Sequence, residues 1–218
     1  NFKIKKDFSI RGDIGTANIR ISDKYEIKNL IANFLYEKNS IYFNKVSWNL
    51  GGQENKKKGF FNGEFNIKQT KKNYDIDLKF KMRNNSNLPR IPIINYSFSK
   101  DNVSQVKTKL LIDKNKRILF KNFTAKDRDN EFYAKGLHID KNYNLINFNE
   151  IKVKTSIENN VNNEFTITNR DKINIKGKIF DAKMLIKELS NNKKENKFLK
   201  NISRDIEIDF DKILKGAK

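Results

Sequence analysis

Apolar and polar side chains alternate along nearly the whole chain, and only short turns interrupt them. The run Tyr74-Asp75-Ile76-Asp77-Leu78-Lys79-Phe80-Lys81-Met82 is the clearest case. Successive side chains of a strand point to opposite faces, so such a run predicts a ribbon that is greasy on one side and charged on the other. The same pattern predicts strands at Ser9–Ile14, Ala17–Ile21, Ile41–Trp48, Phe60–Lys68 and Asn73–Met82. It resumes at Gln105–Ile112, Arg117–Ala125, Glu131–Ile139, Asn149–Ile157, Glu164–Thr168 and Lys172–Ile179, and Asp205–Phe210 opens one more strand. Gly51-Gly52 and the lysine-rich stretch Asn55–Lys58 read as a loop before the Phe60 strand.

One helix is predicted, over Asp181–Leu189. Asp181 suits the N-terminus because its carboxylate can accept from free amides of the first turn. Ala182, Met184-Leu185-Ile186 and Leu189 give the helix an apolar stripe. The fold class expected is therefore all-β, with one short helix. The only prolines, Pro89 and Pro92, follow Asn84-Asn85-Ser86-Asn87 and mark a break. The expected organisation is a first β-meander unit over 1–88 and a second over 89–190 that ends in helix 181–189. A polar linker over 191–204 and the start of a further strand unit over 205–218 complete it. Ile10-x-Gly12-x-Ile14-x-x-Ala17 recurs as Ile175-x-Gly177-x-Ile179-x-x-Ala182. Both glycines fall mid-strand, where glycine marks a bulge or a close backbone approach. Recurring meander units point to an elongated, stackable sheet more than to a closed globule.

Composition narrows the partners. Apolar residues are 37% of the chain, below the usual share for globular domains, which suits sheets with one wet face. Seventeen Phe accompany one Trp, so many large rigid side chains need cover. The formal net charge of +20 would point to nucleic acid or an anionic surface. Half of that signal is set aside, because a chain saturated with Lys, Asn and Ile reflects AT-rich codons. Lysines also guard sheet edges against unwanted pairing. With no Cys, disulfides, Cys-ligated zinc and thiol catalysis are excluded. No run of about 18 apolar residues is present to span a bilayer as a helix. Starting at Asn1 without a signal-like region, the chain reads as a segment of a larger protein.

No catalytic, metal or cofactor site is expected, and the protein is read as a non-enzyme. His138 is the only histidine and takes the polar phase of its strand. Asp75 with Asp77, and Asp205, Glu207 and Asp209, also take polar phases beside lysines, a solvated face rather than acid–base machinery. Neither a P-loop nor a dinucleotide fingerprint nor a nucleophile elbow occurs. The sequons at Asn84, Asn122 and Asn201 are those expected by chance in so Asn-rich a chain. Lys56-Lys57-Lys58 and Lys193-Lys194 read as solubilising loop lysines that could touch phosphates. Phe65, Phe80, Phe120, Phe165 and Phe210 sit in the apolar phase, which suits a core or an acyl-chain surface and not base stacking.

At Gly177-Lys178-Ile179-Phe180-Asp181-Ala182-Lys183-Met184-Leu185-Ile186 a strand with a glycine runs through hydrophobic-Asp-Ala into a short apolar helix. This stretch resembles the AsmA-like superfamily of Gram-negative envelope proteins, most nearly the central region of its large, YhdP-type members. Phe120-Lys121-Asn122-Phe123 through Asn149-Glu150-Ile151-Lys152-Val153 has that family's look of short strands. Tyr25-Glu26-Ile27-Lys28-Asn29-Leu30 and Leu50-Gly51-Gly52 before Gly63-Glu64-Phe65 are similar to its repeated strand unit. The resemblance implies an elongated, curled antiparallel sheet forming an open apolar trough along which phospholipid acyl chains pass between inner and outer membranes. It further implies a periplasmic location, tethered to the inner membrane by parts of a longer protein, and contacts with both membranes. Nucleic acid is not expected as a partner.

On this reading the groove is lined by Phe65, Ile67, Ile76, Leu78, Phe80, Leu110, Ile112, Ile151, Val153, Phe165, Ile167, Ile173 and Ile175. Gly177, Asp181 and Ala182 are structural: a bulge, a helix cap and the first helical step. Two other readings remain open at this point. One is a structural β-sandwich domain of an envelope protein, and the other a basic domain that binds nucleic acid or an anionic glycan.

Overall fold

A computed structural model describes residues 8–20, 26–52, 55–83, 103–141, 145–190 and 205–215. The first strands are β1 (Ser9–Arg20), β2 (Glu26–Glu37), β3 (Ser40–Gly52), β4 (Asn55–Gln69) and β5 (Asn73–Arg83). Next come β6 (Val103–Asp113), β7 (Ile118–Asp127), β8 (Asn130–Ile139) and the short β9 (Leu145–Asn147). The chain continues through β10 (Glu150–Ile157), β11 (Asn160–Asn169), β12 (Ile173–Asp181), helix α1 (Lys183–Ser190) and β13 (Ile206–Leu214). All thirteen strands form one open sheet in the order β1-β2-β3-β4-β5-β6-β7-β8-β10-β11-β12-β13, with β9 beside β8. Every pairing is antiparallel except β12 with β13, which α1 and its flanking chain make parallel. The protein is all-β, and extensive contacts join only strands adjacent in the sheet.

Tight turns set the register. Lys38-Asn39 and Glu158-Asn159 both have φ near +45 to +64° and close two-residue hairpins. Left-handed φ at both positions gives a turn whose twist matches the strands it joins. At the β6–β7 turn, Asp113 Oδ1 accepts from the amides of Asn115 and Arg117, both at 2.9 Å, and its Oδ2 accepts from Arg117 Nε at 2.7 Å. The Arg117 amide, then its guanidinium, hold this carboxyl below the usual aspartate range.

Several elements depart from the sequence expectations. β2 is not among the strands that alternation predicts, and Ser9–Ile14 with Ala17 onward forms one strand through Gly15, with register shifts on either side of Ala17. Asn55–Lys58 lies in β4, because Gly52 pairs with Asn55 and the ladder continues to Leu50 opposite Gly59. The helix begins at Lys183, since Asp181 and Ala182 are held at the end of β12: the Ala182 amide donates to the Leu214 carbonyl at 2.8 Å. Pro89, Pro92, Lys193-Lys194 and the linker 191–204 lie outside the described residues. β5 and β6, on either side of the proline pair, are nonetheless joined along their full length, from Asn73 opposite Asp113 to Arg83 opposite Val103. The two recurrences of the Gly12 and Gly177 pattern lead to different connections, an antiparallel hairpin after β1 and a helical crossover after β12.

Candidate functional site

The register builds one face of the sheet from apolar side chains. From β1 the central row passes Gly12, Phe34, Phe43, Phe65, Leu78 and Thr108, each directly opposite the next. It continues through Phe123, Ala134, Ile151, Ile167, Ile175 and Ile208, and so crosses every strand of the path to β13. At about 4.8 Å per strand spacing the row is roughly 53 Å long. Thr108 is its one polar member, and its hydroxyl donates to the Asn122 carbonyl at 2.8 Å, so no polar group is left wanting on the row.

Two further rows flank it. On one side run Ile10, Tyr36, Ile41, Ile67, Ile76, Leu110, Phe120 and Leu137, from β1 to β8. On the other run Val46, Gly63, Phe80, Val106 and Ala125, followed by Phe132, Val153, Phe165, Gly177 and Phe210. All the groove residues read from the sequence fall on this face. Phe65, Leu78, Ile151, Ile167 and Ile175 are in the central row, and Ile67, Ile76, Leu110, Phe80, Val153 and Phe165 in its flanks. Ile112 and Ile173 stand one pleat further out, beside Leu110 and Ile175.

Local backbone devices keep the rows in phase. Asn29 (φ 52°) and Lys45 (φ 51°) each insert one residue, so Ile27 with Leu30, and Phe43 with Val46, share a face despite a spacing of three. The Asn29 and Lys45 insertions are β-bulges, one extra residue against one partner. Gly136 (φ 64°) lies between Ala134 and Leu137, which face Phe123 and Phe120 with no register shift between β7 and β8. Phe120 and Phe123 share the face across another register shift, and their rings meet edge to face at 6.2 Å. Glycine faces phenylalanine at three crossings: Gly12 with Phe34, Gly63 with Phe80, and Gly177 with Phe165. A Cβ on Gly63 would strike the Lys79 carbonyl and the Phe80 backbone, and one on Gly177 the Glu164 carbonyl and the Phe165 backbone.

Burial on this face is uneven. Ala32, Val46 and Ala134 are at most 1% exposed, and Met82, Leu110, Val153, Phe165 and Ile173 are buried too, yet Phe34, Phe43, Phe123 and Ile151 are only half-buried. The half-buried side chains stand above their neighbours in the same layer, where a second packed layer would cover them. Ring contacts follow the layer, with Trp48 edge-on to Phe65 at 5.6 Å and to Phe80 at 5.7 Å. Near β13, Phe180 stacks on Phe210 at 5.3 Å. Beyond the third row the face turns polar. Thr155 Oγ1 donates to Asn162 Oδ1 (2.7 Å), and Asn163 Nδ2 donates to Thr155 Oγ1 (2.9 Å). Asn163 Oδ1 accepts from the Asp181 amide (3.0 Å), and Asp181 Oδ1 from the Lys183 amide (3.1 Å). All four of these side chains are buried.

The opposite face is charged. Asp75 pairs with Lys121 (3.2 Å), Asp77 with Lys109 (3.4 Å), Glu131 with Lys126 (3.1 Å) and Asp209 with Lys176 (3.7 Å). Lys172 bonds Glu207, which raises the pKa of the lysine and lowers that of the glutamate. His138 is exposed on this face, opposite Leu119 and Asn147. Among the described residues, no three His, Cys, Asp or Glu converge as metal ligands, and no helix is long and apolar enough to cross a membrane. Comparison with known families, curated proteins and solved structures finds no match.

Sequence reasoning missed more than half of the central row, including Phe34, Phe43, Ala134 and Ile208. Alternation alone cannot carry phase across a bulge. The available signal was three-residue spacing of apolar pairs around an Asn, Lys or Gly, as in Phe43-Asn44-Lys45-Val46.

Proposed function

We propose that the apolar face of this open sheet carries phospholipid acyl chains, as the resemblance to AsmA-like envelope proteins implies. The observation that supports this most is the central row from Gly12 to Ile208, unbroken across the sheet and without a second layer among the described residues. The face offers hydrocarbon contact and no free hydrogen-bonding group along that row, so it selects for chain length and not for shape or pattern. Its length of roughly 53 Å exceeds the roughly 30 Å hydrocarbon core of a bilayer. Burial of a lipid chain contributes about 0.8 kcal/mol per methylene. Each step along the rows is chemically alike, so a chain is held yet slides, and no direction is preferred. On this reading the protein is non-enzymatic, works in the periplasm, and serves as a segment of a bridge tethered to the inner membrane and reaching the outer one.

Native mass spectrometry of the full chain, purified from bacteria in mild detergent and followed by lipid extraction, tests the proposal. Co-purified phospholipid is expected, and its loss in a folded Leu78→Asp variant places it on the central row. A lipid-free, monodisperse, stable protein would overturn the reading in favour of a structural β-domain.

A further inference from the structure

Two shallow depressions open on the charged face, and their charge differs. The larger, about 530 Å³, lies over β8, β10, β11 and β12. Of its four lysines, Lys178 pairs with Glu164 (3.5 Å), Lys176 with Asp209 (3.7 Å) and Lys152 with Glu150 (3.3 Å). Lys152 also lies over the Tyr133 ring, 5.7 Å from its centroid. Three of its four cations are thus paired, and the fourth, Lys154, stands directly between Glu131 and Glu164 on the neighbouring strands.

The smaller depression, about 410 Å³, lies over β3 to β6 and also holds four lysines, Lys45, Lys79, Lys81 and Lys107, with Glu64 as its one carboxylate. No ion pair joins any of these lysines to a carboxylate among the described residues. Lys79 and Lys107 stand directly opposite each other on paired strands. Like charges in that position destabilise a sheet. Lys45 is brought into the cluster by the left-handed bulge that also holds Val46 on the apolar face.

We propose that this depression is a binding site for a phosphate-bearing anion of at least two negative charges, held by Lys79 and Lys107 across the β5–β6 ladder with Lys45 and Lys81 beside them. An anion between the two ammoniums converts an unfavourable like-charge pair into two charge-assisted hydrogen bonds. The two sheet faces are separate, so this site does not depend on the acyl-chain reading. Free diphosphate and the headgroups of an anionic membrane present the same chemistry.

Isothermal titration of the full chain with inorganic pyrophosphate, and co-flotation with phosphatidylglycerol against phosphatidylcholine vesicles, test it. The wild-type chain is compared with Lys79→Gln/Lys107→Gln and, as a charge-matched control, Lys152→Gln/Lys176→Gln. Pyrophosphate binding that weakens at least tenfold in the first variant and less than twofold in the control supports a free-anion site. Phosphatidylglycerol-selective flotation lost only in the first variant, without pyrophosphate binding, supports a headgroup site. Binding of neither probe, or equal losses in both variants, overturns the proposal. Circular dichroism keeps the result interpretable: removal of the like-charge pair is expected to leave the melting temperature of the first variant unchanged or higher.

Discussion

The β5–β6 hairpin and the β2–β3 hairpin reach the same apolar face by different means. β5 and β6 pair without a register shift, and every second residue, from Ile76 to Met82 and from Val106 to Ile112, points the same way. β2 and β3 shift register twice, at Asn29 and at Lys45, both left-handed. In the first hairpin the pattern of side chains sets the face, and in the second the backbone does. A strand that relies on a bulge has its phase concentrated in one residue, and a strand that relies on alternation has it spread over all of them.

The sharpest way to break the comparison is to delete one residue from each kind of strand. Loss of Lys79 from the regular β5 moves Phe80 and Met82, part of one hydrophobic cluster, to the charged face. We expect this to lower the melting temperature by at least 10 °C, read by circular dichroism. Loss of Lys45 instead removes the extra residue and leaves Phe43 and Val46 two apart on the same face, so its effect is expected to be less than half as large. Substitution by glycine in place of deletion keeps the bulge and relieves a left-handed non-glycine residue, so Lys45→Gly is expected to stabilise by up to about 1 kcal/mol. Lys79→Gly, in the regular β5, is expected to destabilise by about 0.5–1 kcal/mol. Equal signs for the two would mean that the phase of β3 does not rest on Lys45.

The glycines give a smaller effect with the same logic. At Gly63 an added Cβ meets backbone, and we expect Gly63→Ala to cost about 1–3 kcal/mol in chemical denaturation. At Gly12 it meets the far end of the Phe34 ring at 2.7 Å, which can swing aside, so Gly12→Ala is expected to cost well under half as much.

The smallest effect is at the parallel β12–β13 joint. Lys172 lowers the pKa of Glu207, so the stabilisation from this pair is present above the ordinary glutamate pKa and lost as pH falls through the lowered value. Lys172 itself has a raised pKa, so the same contribution is lost again only as pH rises through that raised value. The protection factors of β13 amides, taken relative to intrinsic exchange at each pH, should therefore fall on acidification, and Lys172→Gln should remove part of that pH dependence. The pair is exposed, so the change is small and vanishes in high salt.

These contrasts also explain what the chain discloses in its linear form. The all-β character and one face of β5, β6, β10, β11 and β12 were legible, because alternation there survives over most of each strand. β2 was not, because Asn29 places Ile27 and Leu30 three apart, a spacing that fits neither strand nor helix cleanly. That Leu78 and Ile151 share the apolar face was legible from pattern, whereas the places of Phe34 and Ala134 needed the register. The buried cluster of Thr155, Asn162, Asn163 and Asp181 was invisible, since four polar residues acquire a shared interior only when a bulge in β11 and the end of β12 bring them together. The clustering of Lys45 with Lys79, Lys81 and Lys107 likewise depends on strands that are distant in the chain but adjacent in the sheet.

Extensive contacts link each strand only to its sheet neighbours, and up to β12 those neighbours lie next in the chain or one short strand away. The molecule is in effect a one-dimensional stack whose energetics are sums of adjacent pairs. A ribosome releasing it from the N-terminus can therefore lay down the sheet in the order of synthesis, each new strand docking on the one just placed. Only β13 departs from that order, because its parallel alignment must wait for α1 and the following chain to cross over. Until it docks, β12 is the growing margin of the sheet, and its docking changes the strand direction.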